Sequence, residues 1–281
     1  MSLERNMAQI AAYKKQASEE QQKLKDKMGK IKHKIAVISG KGGVGKSTVT
    51  VNLAAAFAQM GYKVGILDAD IHGPSVPRLL GLEGQLVKTG PPGAFPVNAE
   101  LGIKVMSIDF FLPEEAPTIW RGPLKMRAIR QLLSDIVWGD LDFLFIDLPP
   151  GTGDEPLSIA QLLPEMDGVV IVTMPSELSS SIVKKAISFA ERLNMPIIGV
   201  VENMSGFVCP HCGQKTEIFR SGGGKKMAQE TGVPFLGSIP IEPKIGVDSD
   251  VGSPFVIANK DSAAAKAFME IVKKVETHLK K

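Results

Sequence analysis

After Lys34 the chain repeats one pattern: a short, continuous apolar run, then a longer stretch with helical spacing. The apolar runs are KIAVIS, KVGILD, IKVMSI, DFLFID, GVVIVT, PIIGVV and PFLGSI. Their apolar positions are continuous instead of alternating with polar ones, so they predict strands covered on both faces. Strands of this kind, regularly interleaved with helices, predict an α/β fold with a doubly wound, mainly parallel sheet. Ligands of such folds gather at the carboxyl ends of the strands. The long break from Gly81 to Gly102, containing GQLVKTGPPGAFPVN, predicts a loop or β-ribbon insertion. No internal repeat divides the chain. Residues 1–33 are expected to form a charged helical arm and residues 34–281 a single domain.

Within the arm, Leu3, Met7, Ile10, Ala17, Leu24, Met28 and Ile31 follow a three-four spacing broken by Lys14 and Gln21. So short a helix is marginal alone, leaving a solvated arm or a docking helix as the two readings. At the other end, Phe268, Ile271, Val272, Val275 and Leu279 form one stripe, while Glu270 and Glu276 dilute the basic face. That balance favours a packing helix over a membrane-surface one.

Composition adds modest constraints. A chain of 281 residues, 44% hydrophobic, is long enough to bury a full core. The net charge of +3 comes from the first 34 residues, which hold nine Lys and Arg against four Asp and Glu, so the remainder is close to neutral. Such a body lacks the basic surface of a nucleic-acid binder, and neither nucleic acid nor membrane is expected as a partner. Two cysteines form no disulfide framework, and a reducing cytoplasmic setting is expected.

The densest chemistry is GKGGVGKS, residues 40–47. It follows the apolar run ending at Ser39 and opens a helix expected to reach about Met60. Gly40, Gly42, Gly43 and Gly45 let successive backbone N–H groups turn inward around phosphates, with Lys41, Val44 and Thr48 completing the loop. Lys46 is expected to reach the β- and γ-phosphates of ATP, and Ser47 to coordinate Mg2+. Asp68, in LDAD, and Asp147, in FLFIDLPPGTGD, end two further strands and are expected in the metal shell. Asp147 fits the acid that holds the metal's hydration sphere, and Asp70 is placed to orient the attacking water. The segment PPGTGD is a natural switch beside the γ-phosphate.

Cys209 and Cys212 form C-P-H-C in a glycine-containing loop. Redox, zinc and iron–sulfur readings stay open, although a C-x-x-C this late in a P-loop sheet argues against thioredoxin-like chemistry. One chain brings two thiolates where tetrahedral zinc or a cubane cluster takes four ligands. An isologous dimer makes up the difference by supplying the second pair.

Taken together, KGGVGKST with its extra Lys41, DADIHGPSVPRLLG, WRGP, DLPPGTGD, VENMSGFVCPHCG and GSIPIEP resemble the Mrp/ApbC family of P-loop ATPases. That family lies within the ParA/MinD/NifH class, and the resemblance covers residues 32–281. It implies a homodimer in which Lys41 reaches the partner's nucleotide and Asn203 recognises adenine, with the backbone near Pro240 closing the base pocket. It also implies slow ATP hydrolysis, and a labile, bridging 4Fe-4S cluster on Cys209 and Cys212 destined for apo iron–sulfur proteins. The arm lacks the additional four-cysteine segment of some relatives, which removes the expectation of a second cluster. A membrane- or nucleoid-positioning ATPase and a zinc-bridged, nucleotide-clamped dimer remain the alternatives.

Overall fold

The computed structural model describes residues 24–71, 73–111, 134–153, 166–175, 179–209 and 211–280, together with 18, 22, 156, 157, 160 and 161. Its strands are β1 (Ile31–Ile38), β2 (Val64–Asp68), β3 (Lys88–Gly90), β4 (Gly93–Phe95), β5 (Val97–Asn98) and β6 (Lys104–Ser107). They continue as β7 (Leu141–Asp147), β8 (Gly168–Thr173), β9 (Ile197–Glu202), β10 (Phe207–Val208), β11 (Lys215–Thr216) and β12 (Phe235–Ser238). The helices of eight or more residues after β1 are α1 (Lys46–Gln59), α2 (Ser179–Arg192), α3 (Gly223–Thr231), α4 (Pro243–Asp250) and α5 (Ala263–Leu279).

Eight strands form one sheet in the order β12-β9-β8-β1-β7-β2-β6-β5, parallel except at the β5 edge. Each of the seven apolar runs becomes one of its parallel strands. Strands β2, β7 and β8 are buried or nearly so along their whole length, as continuous apolar runs require. The chain moves from β1 to β2 on one side and later reaches β8 on the other, so β1 stands at the topological switch. The expected insertion is a ribbon: β3 and β4 pair antiparallel around Pro91 and Pro92.

Sequence and structure differ at the domain start. Met28 is buried and β1 begins at Ile31, so the last residues assigned to the arm belong to the sheet. Residues 24–28 are helical, while most of the arm, the WRGP motif, His72, Asp154 and Pro210 lie outside the described residues.

Helix α1 is buried from Val49 to Phe57, almost all round. Its one buried amide, Asn52, is satisfied within that layer: Nδ2 donates to Thr48 O at 2.9 Å and Oδ1 accepts from Val256 N at 3.0 Å. At the far end Phe57 packs on Phe143 with ring centroids 4.3 Å apart. This anchor fixes the helix axis and leaves its N-terminus at the carboxyl end of β1. Helix α5 buries Phe268, Ile271, Val272 and Val275 and packs on α1 and β12, which is the packing role its stripe predicts. Among the described residues, no helix is long and apolar enough to cross a membrane.

Candidate functional site

The loop between β1 and α1 adopts a conformation only glycine holds at low cost. Gly43 and Gly45 have φ of +75° and +77°, and a Cβ on Gly45 would lie 2.3 Å from Asn203 Nδ2. Helix α1 starts without a side-chain cap and has no acidic residue in its first turn. Its dipole and N–H groups therefore face the loop unopposed, an arrangement suited to an anion. Ser39 Oγ donates to Lys41 O at 2.9 Å and braces the loop's first half. Gly40 lies against α2, where a Cβ would sit 2.1 Å from Ile182 Cγ2.

Three groups from α1 converge on Asp147 at the end of β7. Lys46 Nζ and Ser47 Oγ each donate to Asp147 Oδ2 at 2.6 Å, and Thr50 Oγ1 donates to Oδ1 at 2.6 Å. Asp147 is fully buried and Lys46 is 6% exposed, so the ion pair operates at low dielectric and relies on the two hydroxyls for full satisfaction. Thr50 was not anticipated from the sequence. Its place one helical turn after Lys46 is the signal that finds it.

Asp68 stands directly across the ladder from Asp147. It accepts from Asp70 N and Val76 N, each at 3.1 Å. Burial, and then the negative charge of Asp147, push its carboxyl up to about 8, against the pull of those N–H groups and of Lys46. Two carboxyl groups this close invite a divalent cation. Asp70 continues the same turn and accepts from Gly73 N at 3.2 Å.

The structure brings Asn203 to the loop: its Nδ2 donates to Val44 O at 2.9 Å, and its backbone N to Thr173 O at 2.8 Å. Pro240 follows Ile239, whose N–H donates to Glu202 O at 2.8 Å, next to Asn203. The segment around it pairs with the start of the cysteine loop, through Ser205 N to Ile239 O at 2.8 Å and Ile241 N to Gly206 O at 2.7 Å. Lys41 is half-buried.

Cys209 and Cys212 lie on the β10–β11 ribbon, which leaves the carboxyl end of β9 on the same side of the sheet as the phosphate loop. Cys209 N donates to Gln214 O at 3.0 Å and Gly213 N to Cys209 O at 2.9 Å, closing a tight knuckle. The N–H groups of Cys212 and His211, followed by the Cys212 side chain, hold the Cys209 thiol below its ordinary range. Cys212 is exposed. Among the described residues no group of three His, Cys, Asp or Glu side chains forms a metal cage, so the knuckle offers half a four-coordinate site.

A glycine cradle at a helix N-terminus, with a lysine, a hydroxyl and two strand-end acids, defines a P-loop nucleoside triphosphatase. The chain belongs to the family described as NUBPL iron-transfer P-loop NTPase, whose model matches residues 30–276. It is 56% identical over 263 residues to an iron-sulfur cluster carrier protein of Methanocaldococcus jannaschii, covering 93% of this chain and 90% of that one. A protein of the same description from Saccharolobus solfataricus is 55% identical, with 90% and 86% covered. Among solved structures, a nucleotide-binding protein of Archaeoglobus fulgidus in complex with ADP, with cobalt found in it, matches at a TM-score of 0.75 and 46% identity. That match covers 83% of this chain and 91% of the other. The MinD cell division protein of Aquifex aeolicus, at 22% identity and a TM-score of 0.63, shares the fold.

Proposed function

We propose that this protein is an ATP-dependent iron–sulfur cluster carrier: two copies hold one 4Fe-4S cluster between their Cys209 and Cys212 pairs and deliver it to apo iron–sulfur proteins. The observation that carries this reading is the thiolate-favouring cysteine knuckle at the same end of the sheet as the phosphate loop. The descriptions of the M. jannaschii and S. solfataricus relatives support it. A dimer supplies four thiolates where one chain supplies two.

The nucleotide half of the site fits ATP with Mg2+. Backbone N–H groups from Gly42 to Ser47 cradle the phosphates, and Lys46 exchanges Asp147 for phosphate oxygens. Ser47, Asp68 and Asp147 take the metal shell, in which Mg2+ supplies neutralisation of phosphate charge. Asp70 orients the attacking water, and the products are ADP and phosphate. Lys41 serves the partner's nucleotide, and Asn203 reads the base from its position behind Val44. Hydrolysis is slow because the site is completed only in the closed dimer.

Anaerobic purification with iron, sulfide and zinc quantitation and mass measurement tests the reading. One cluster per two chains, transferable to an apo-ferredoxin, is the expected result. Stoichiometric zinc with no iron after reconstitution would favour the zinc-bridged dimer.

A further inference from the structure

Glu202 takes no part in the chemistry above, yet it is the end residue of β9 and fully buried. Every group bonded to it is a donor. Ser205 Oγ reaches Oε1 at 2.5 Å, Gly222 N reaches Oε1 at 3.0 Å, Ser238 Oγ reaches Oε1 at 3.3 Å, and Gly224 N reaches Oε2. These donors have a common topology. Ser205 opens the segment that carries Cys209 and Cys212, and Gly222 and Gly224 close it at the N-terminus of α3. One carboxylate therefore grips both feet of the cysteine loop.

The glycines of the SGGGKK stretch follow from this grip. Gly222 has φ of +82°, and a Cβ on Gly224 would lie 3.0 Å from Glu202 Cβ. The stretch looks like a second phosphate loop, but Glu202 already takes N–H groups of its first turn. The residue after Glu202 is Asn203, bonded to Val44 O inside the true phosphate loop. Between the two there is little slack, because Ile239 N donates to Glu202 O at 2.8 Å and Asn203 N to Thr173 O at 2.8 Å.

We propose that Glu202 is a positioning residue that fixes the two feet of the cysteine loop and, with Asn203, transmits the state of the phosphate loop to the Cys209–Cys212 knuckle. The inference rests on the cysteines being the metal ligands. A carboxylate held at one end of a two-residue lever, with phosphate-loop contact at the other, makes thiolate spacing depend on bound nucleotide.

The test is an anaerobic cobalt(II) titration of the full chain, read by thiolate-to-cobalt absorbance, with Mg-ATP, with Mg-ADP and with neither. Wild type should show cobalt affinity that changes with nucleotide. Ser205→Ala removes one foot bond, a hydroxyl donated to a carboxylate, and should weaken cobalt binding or its nucleotide response by at least about tenfold, the scale of a hydrogen bond to a charged group. Glu202→Gln should lose more, because its amide N–H2 opposes a backbone donor, while ATP affinity stays near wild type. Ser238→Ala touches the same carboxylate from β12, away from the loop, and should leave both quantities unchanged. If Glu202→Gln does not fold, Ser205→Ala against Ser238→Ala decides. Equal behaviour of those two, or no nucleotide response in the wild type, would overturn the positioning role. Cobalt bands that persist in a Cys209→Ser/Cys212→Ser variant would overturn it differently, by showing that the knuckle is not the metal site.

Discussion

Asp147 holds Lys46, Ser47 and Thr50 at once, so each of these residues has both a structural and a chemical meaning. Lys46→Ala removes the cation from a buried pair, and two hydroxyls remain to satisfy the carboxylate. A stability loss of about 3 kcal/mol and an ATP affinity lowered by at least about tenfold are expected, measured by urea denaturation and calorimetric titration. Lys41→Ala breaks no such pair and should keep ATP affinity while lowering hydrolysis in the dimer. Indistinguishable affinities for the two variants would refute that division. Asp68 adds a pH signature. Its folded carboxyl sits at about 8, above the unfolded value of 3.8, so the native state binds the extra proton between those limits. Stability from this group is therefore present at low pH and lost as pH rises from about 4 to 8. Urea midpoints at pH 5 and pH 8 should differ in that direction, and Asp68→Asn should flatten the slope. Mg2+ with nucleotide should expel the proton near pH 7, seen as a buffer-dependent heat of binding.

At the scale of elements, the phosphate loop is a joint between a strand and an all-round buried helix, and its geometry tolerates no side chain at Gly45. Gly45→Ala combines a left-handed backbone, costing about 1 kcal/mol, with a contact 2.3 Å from Asn203 Nδ2. Lower thermal stability together with weaker ATP binding is expected. A melting temperature within a degree of wild type would show that Asn203 can move aside freely. The loop was readable from the sequence because its constraints are local: glycine spacing, an apolar strand before it and helical periodicity after it. The parallel strands were readable for the same reason. Thr50 and Glu202 were harder to see, because their roles come from contacts between elements distant in the chain, Thr50 with β7 and Glu202 with the start of α3. The segment around Pro240 pairs with residues 202–207 around Asn203, a register that periodicity alone does not reveal. The start of the domain was set three residues late because Ile31 and His33 alternate with lysines, masking a strand that pairs with β7 from Ile31 onward.

For the whole molecule, the decisive quantity is the number of thiolates. Each chain brings Cys209 and Cys212 on one exposed ribbon, and among the described residues no third ligand stands near enough to complete a cage. A cluster bound by a single chain would keep exogenous ligands at two corners, whereas a two-fold dimer saturates it with protein sulfur. The ribbon and the phosphate loop share one end of the sheet. Dimer mass, cluster content and nucleotide should therefore be linked. Reconstituted wild type is expected to sediment as a dimer with about four irons per pair of chains. A Cys209→Ser/Cys212→Ser variant should lose the iron and the cluster-linked share of dimerisation, while binding ATP with unchanged affinity. The sharpest arm mixes chains: a wild-type chain paired with a double-serine chain offers two thiolates, and such heterodimers should hold far less than half the wild-type cluster. Full iron content in a monomer, or in that mixed dimer, would exclude the bridging arrangement, because either result means that two thiolates suffice.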